Sequence, residues 1–234
     1  MIHISKILCG IMIIFTIFTT VSDSLSQTQG FNKKSPVEKI AASSAKFLSD
    51  YMEFAETSPG EAIPRKLLCS ASCIIVIPHI EIVKSRGDFA GSGLLLCREA
   101  RSGEFTEPLF YKIDNVKSFY EDGGGALIVV ADSDAMKYIL GDAVHLTGDN
   151  SSAGKIGGDA EKNSSDFITY AKPVEQNIEG YDFTGSSILF ASRDTFNAYQ
   201  ETIIPIEIFV SPQDVPPFLK GFGETVEKLT KGCK

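Results

Sequence analysis

The side chains able to do acid–base, nucleophilic or metal chemistry are few in this sequence, and their spacing does not assemble them. Downstream of residue 26 there are two histidines, His79 and His145, and neither sits in an HExxH pair that would hold zinc beside a glutamate base. No serine occupies a GxSxG elbow, so Ser-His hydrolysis has no local support. Gly87, Gly91 and Gly93 approach the phosphate-binding GxGxxG pattern in the wrong order. They also precede a strand, where a phosphate loop must precede a helix whose N-terminal amides bind the anion. His79 with Glu81 could pair as acid and base, but on a surface turn such a pair usually has no role. Cys69 and Cys73 form a C-x3-C pair with no second Cys or His pair at ligand spacing downstream to complete a tetrahedral site. The residues therefore predict no catalytic group, no cofactor and no metal.

What the sequence does place is charge. Between Gln27 and Leu48 it carries Lys33, Lys34, Lys39 and Lys46 against the single acid Glu38, a local charge of +3 in a protein of net charge −8. Lys39 and Lys46 are two helical turns apart and so lie on one side of any helix formed there, beside Ile40, Phe47 and Leu48. An apolar face flanked by lysines suits the surface of an anionic membrane, where each basic residue adds about 1 kcal/mol. The same pattern also describes a helix that merely covers a core. The candidate contacts are Lys33, Lys34, Lys39 and Lys46 for headgroups, with Phe47 and Leu48 as inserting residues. Lys84 and Arg86, beside the glycine-rich turn, are second choices.

The elements that would position these residues can be read from periodicity. Ser35-Pro36-Val37-Glu38 supplies a capping residue, a proline for the first helical position and a capping-box glutamate. Val37, Ile40, Ala41, Ser44, Phe47, Leu48, Tyr51 and Ala55 then recur at three- and four-residue intervals, predicting a helix to about Glu56 that Thr57-Ser58-Pro59-Gly60 ends. Ile63 to Ser72 predicts a short helix with Pro64 in its first turn, and Cys73 to Pro78 a buried strand. Further strands are expected over Gly91–Arg98, Pro108–Asp114, Gly125–Ala131, Asp166–Ala171, Tyr181–Phe190 and Ile203–Val210. Helices are expected over Ser133–Leu140, Arg193–Gln200 and about Pro216–Lys231. Gly148–Ser165, rich in Gly, Ser and Asn, reads as a mobile loop. The expected fold is α+β: a single compact domain with a strand-rich antiparallel middle, an amphipathic N-terminal helix and a C-terminal helix.

Composition narrows the setting. A chain of 234 residues, 43% hydrophobic, suits one core. The excess of 30 acidic over 22 basic residues disfavours nucleic acid as a partner. Lys6 followed by an apolar run from Ile7 to Val21 reads as a signal peptide over residues 1–26, with Ser24 and Ser26 placed for cleavage before Gln27 and residues 27–234 as the domain. An exported protein, periplasmic or secreted, is expected. Four cysteines then remain, Cys69, Cys73, Cys97 and Cys233, an even number that suits an oxidising compartment. An equal alternative makes Cys97 a buried apolar residue and the others free thiols.

Several short segments occur in a recognisable order from Pro64 to Tyr199. They are Cys73-Ile74-Ile75-Val76-Ile77-Pro78, Gly87 to Gly93, Phe105-Thr106-Glu107-Pro108-Leu109-Phe110, Gly123 to Val130, Leu140-Gly141, Tyr170, Phe183-Thr184-Gly185 and Asn197-Ala198-Tyr199. Together they resemble the SYLF (Ysc84-like) family. Phe105 stands where the family's motif has Trp, and Ser85 and Arg86 stand where small residues and Gly are usual. The resemblance implies a compact α+β domain that binds phosphoinositides or other anionic lipids, with a Lys-bearing N-terminal helix in the contact. Some members of that family bind actin, which an exported protein would not meet. The sequence thus predicts non-enzymatic binding of anionic lipid headgroups at a membrane surface. The alternative is a secreted protein that binds a host or envelope protein partner.

Overall fold

Ser35 starts the first helix through reciprocal bonds. Its hydroxyl accepts from the Glu38 amide at 3.3 Å and the Glu38 carboxylate accepts from the Ser35 amide at 2.7 Å. From there α1 (Pro36–Thr57) runs until Pro59, whose missing N–H cannot continue the ladder. The structure is a computed structural model. It describes residues 34–232 except 100–101, 121–122, 142, 158–164 and 175, so the expected signal peptide and Lys33 lie outside the described residues. No helix among the described residues is long and apolar enough to cross a membrane.

After the short helix α2 (Arg65–Ser70) the chain enters β1 (Cys73–Ile77), β2 (Glu81–Val83), β3 (Asp88–Cys97), β4 (Leu109–Val116) and β5 (Gly125–Val130). Then come α3 (Ser133–Gly141), β6 (Val144–His145), β7 (Ser151–Ala153), β8 (Phe167–Lys172), β9 (Glu179–Gly180), β10 (Ser187–Phe190), α4 (Ser192–Tyr199) and α5 (Pro217–Leu229). These strands make one sheet in the order β6-β10-β4-β3-β1-β5-β8-β7, with β2 added on β3 and β9 on β8. Every pairing is antiparallel except β7 with β8, which is parallel. The expected α+β architecture with N- and C-terminal helices is the one observed.

Both faces of this sheet are covered, and that explains its sequence. Ile74, Val76, Leu94, Leu96, Leu127 and Val129 share a core with the buried face of α1 and with Leu219, Phe222 and Val226 of α5. Their neighbours Ile75, Ile77, Leu95, Tyr111, Ile128 and Val130 share a second core with Ala135, Ile139 and Leu140 of α3. A strand buried on both faces loses the alternation of a half-exposed one, so β1 and β5 read as unbroken apolar runs although the sheet is antiparallel.

Cys73 and Cys97 face each other across β1 and β3, with Cα atoms 4.0 Å apart, and are joined by a disulfide. Cys69 is disulfide-bonded as well, so the free-thiol reading of Cys69 and Cys73 is not what the structure shows. Closing a loop of 24 residues constrains the unfolded chain by about 3 kcal/mol. A Cys73→Ala, Cys97→Ala variant is therefore expected to melt about 10 °C lower, measured by calorimetry. Both residues are fully buried, so mild reductant should leave the native bond intact.

The structure corrects four expectations. Ile203–Val210 is not a strand: Pro205 lacks the amide a ladder needs, and Pro205–Phe209 is a 3-10 turn that leaves Ile204, Ile206 and Val210 exposed. Of Tyr181–Phe190 only the last four residues are a strand, because Gly185 at φ +92° forms a turn between Phe183 and Ser186. Gly148–Ser165 is not wholly loop, since Ser151–Ala153 pairs with Phe167–Thr169. Pro64 precedes α2 instead of occupying its first turn.

Candidate functional site

The buried stripe of α1 fixes what its other side presents. Val37, Ala41, Ser44, Phe47, Leu48 and Tyr51 face the core, which leaves Lys39 and Lys46 in solvent. Lys46 extends to Asp50 one turn on, at 2.7 Å, whereas Lys39 has no ion-pair partner among the described residues. Beside Lys39 lies an open groove of about 440 Å³. Its walls are Lys39, Ile40 and Ser43 from α1, Pro78 and His79 from the end of β1, and Glu81, Arg86, Ser92, Lys112 and Asp114 from the β2–β4 ribbon.

Glycines open this groove. The last β1–β3 partners are Val76 and Leu94; beyond them β3 stays paired with β4 and pairs with β2. At that parting a Cβ on Gly93 would fall on the Val76 carbonyl, with Ile77 Cα at 2.8 Å, and one on Gly91 would collide with the His79 carbonyl. The glycines of this stretch are needed for close passage of backbone, a structural use that sequence pattern alone does not separate from phosphate binding. A second, smaller hollow of about 170 Å³ shares Ser43, Pro78 and His79 with the first and adds Lys46, Lys172 and Gly123 to Gly125. The two form one basic track along the solvent side of α1.

Charge along the track is mixed: Asp50, Glu81 and Asp114 line it beside Lys39, Lys46, Arg86, Lys112 and Lys172. Arg86 is committed: it donates to Asp88 at 3.0 Å and to Asp114. Burial alone would raise the Asp114 carboxyl, but Arg86, the Asn115 amide and Lys112 together hold it below its ordinary value. With Arg86 so neutralised, Lys39, Lys112 and Lys172 are the cations of the track without a direct ion-pair partner among the described residues. His79 stands where the two hollows meet, its Nδ1 3.5 Å from the Gly123 carbonyl.

Of the residues selected from sequence, Lys39, Lys46 and Arg86 come together here. Lys34 is exposed at the start of α1, and Lys84 is exposed in the β2–β3 turn, and neither lines the track. Phe47 and Leu48 are corrected: at 7% and 0% exposure they hold α1 to the sheet and are not available to insert while it is docked. Lys112 and Lys172 were not selected. The one signal for Lys112 was a lone exposed cation within Leu109-Phe110-Tyr111-Lys112-Ile113, and nothing local tied it to α1.

A Ser–His pair elsewhere in the sheet is structural. Ser187 Oγ lies 2.8 Å from His145 Nδ1, but the two are direct partners across β10 and β6 and Ser187 is 3% exposed, so the hydroxyl is closed to a substrate. Among the described residues no group of three or more His, Cys, Asp or Glu is arranged to hold a metal ion. Compared with known proteins, the chain matches no family model and no curated protein. The resemblance to the SYLF family therefore rests on the motifs quoted above.

Proposed function

We propose that this protein binds anionic phospholipid or phosphoinositide headgroups at a membrane surface, without catalysing a reaction, and that the basic track beside α1 is the contact. The observation that carries this reading is the convergence of Lys39, Lys46, Lys112 and Lys172 from three separate elements onto one side of a protein whose net charge is −8. Such clustering against the overall charge is what a polyanionic surface selects. The SYLF-like motifs favour the same ligand class, and the Cys73–Cys97 bond suits an exported, oxidised protein acting peripherally at a membrane.

The burial of Phe47 and Leu48 favours a contact in which α1 stays docked on the sheet. Insertion of α1 would rebury its own apolar face in lipid but would leave Ile74, Val76, Leu94 and Leu127 of the sheet uncovered, at roughly 2 kcal/mol per side chain exposed. The headgroup therefore enters the groove while α1 stays docked. Titration of the folded protein with soluble inositol trisphosphate tests this without a bilayer. Amide shifts are expected at Ser92, His79 and Gly124, fading as salt rises; shifts confined to α1 residues 47–51 would contradict a docked helix.

A second reading, a soluble protein partner, has one observation in its favour. Ile204, Ile206 and Val210 are 51%, 46% and 80% exposed on one short segment. Apolar residues grouped this way on a surface mark interaction sites in many proteins.

A further inference from the structure

Cys73 and Cys97 are bonded to each other, and Cys69 is disulfide-bonded as well, so its partner is neither of them. The other cysteines of the chain are Cys9 and Cys233. The short helix α2 decides between them. Cys69 follows Arg65 by four residues, so the two share a face of α2, turned away from the buried Leu67. The end of the chain comes to that same face: the Arg65 guanidinium donates to the Lys231 carbonyl, and a Cβ built on Gly232 would stand 3.5 Å from the same guanidinium. Consecutive Cα atoms are about 3.8 Å apart, which keeps the next residue, Cys233, beside α2. Cys233 itself lies outside the described residues. Cys9, by contrast, falls in the expected signal peptide, which export removes.

We infer that Cys233 is the partner of Cys69, and that their bond is a redox-sensitive latch holding the end of α5 on α2. It joins elements from opposite ends of the chain, whereas Cys73–Cys97 joins two neighbouring strands. The two bonds also differ in access. Cys73 and Cys97 are fully buried, but Cys69 is half-buried on the outer side of α2. Exchange requires a thiolate to reach one sulfur of the bond, so the latch opens first. Each opening consumes one dithiol: its two sulfurs become a cyclic disulfide, and Cys69 and Cys233 take up the two electrons and two protons as thiols. A disulfide donor in an oxidising compartment runs the same exchange in reverse. The domain survives opening, because Leu219, Phe222 and Val226 are fully buried against α1 and the sheet and hold α5 without the bond. What opening frees is the turn after Leu229 and its hold on Arg65.

The test is peptide mapping, without reduction, of the whole protein exported into an oxidising compartment. Trypsin cuts after Lys66, Lys84, Arg86, Arg98 and Lys231, so residues 67–84 carry Cys69 and Cys73, residues 87–98 carry Cys97 and residues 232–234 carry Cys233. The three peptides should emerge as one cross-linked species. In a Cys73→Ala, Cys97→Ala variant, 67–84 and 232–234 should remain joined. A brief pulse of dithiothreitol on the native wild type, quenched with iodoacetamide, should release 232–234 in alkylated form while 67–84 and 87–98 stay linked. Amide exchange at Lys231 and Gly232 should then rise by about tenfold or more, with the amides of β1 and β5 unchanged. A free Cys233 thiol in the native protein, a link from Cys9 to 67–84, or loss of the Cys73–Cys97 link before the other would each overturn the inference.

Discussion

Replacement of Gly93 by alanine is expected to cost more than about 3 kcal/mol of stability and to yield little folded protein, because the added methyl has nowhere to go. The obstacle is the backbone of β1, with Val76 carbonyl carbon at 2.7 Å and Ile77 Cα at 2.8 Å from the new atom. A side chain could rotate away; a strand held on one side by β5 and on the other by β3 cannot. Gly60→Ala is the matched control, since no atom lies within 4 Å of its added Cβ and its φ is not positive. Urea denaturation of the two variants checks the contrast. If Gly93→Ala unfolds at the wild-type midpoint, the close passage of β3 over the end of β1, and with it the shape of the groove, is wrong.

That passage also ties fold to function. Because β3 leaves β1 at Gly93, the ribbon of β2, β3 and β4 projects beside α1, and Lys112, directly opposite Ser92, arrives on the same side as Lys39. A sheet without these glycines would hold β3 further from the Pro78–His79 corner. The groove is a consequence of backbone approach, not of a dedicated loop.

The sequence made some of this legible and hid the rest for physical reasons. α1 was readable because cap, proline and 3.6-residue periodicity agree, and of the stripe's residues Val37, Ala41, Ser44, Phe47, Leu48 and Tyr51 are buried while Ile40 and Ala55 are partly so. The unbroken apolar run of β1 marked a buried strand, and the structure shows that β1 and β5 are both buried on their two faces. Ile203–Val210 misled because its β-branched content outweighed one proline, and propensity for a strand is only propensity to fit a pleated surface that must exist elsewhere. β6, β7 and β9 are two or three residues long and borrow their partners, so no local pattern marks them. Lys39 and Lys46 were visible as members of one helix face. Lys112 and Lys172 reach that face only through strand order, which spacing along the chain does not encode. The same amphipathic pattern is compatible with a helix that inserts and with one that docks, and only the sheet beneath Phe47 and Leu48 separates the two.

Reversing Lys39 and Lys112 together is expected to remove binding to anionic membranes while leaving the fold unchanged. Both side chains are exposed and neither makes an ion pair among the described residues, so the change in stability should stay within about 0.5 kcal/mol. Each lysine near an anionic surface contributes about 1 kcal/mol, and reversal also adds repulsion, so the pair should lose more than about thirtyfold in affinity. Lys34→Glu with Lys84→Glu changes net charge equally but lies off the track, and should lose far less. Flotation of the folded protein, residues 27–234, with vesicles that are zwitterionic, anionic or phosphoinositide-doped, at low and high salt, makes the comparison directly. Flotation should require anionic lipid, weaken with salt, survive Lys34→Glu/Lys84→Glu and be lost in Lys39→Glu/Lys112→Glu. Equal flotation of the two double variants, or none of the wild type with any lipid, would contradict the basic track as the membrane contact.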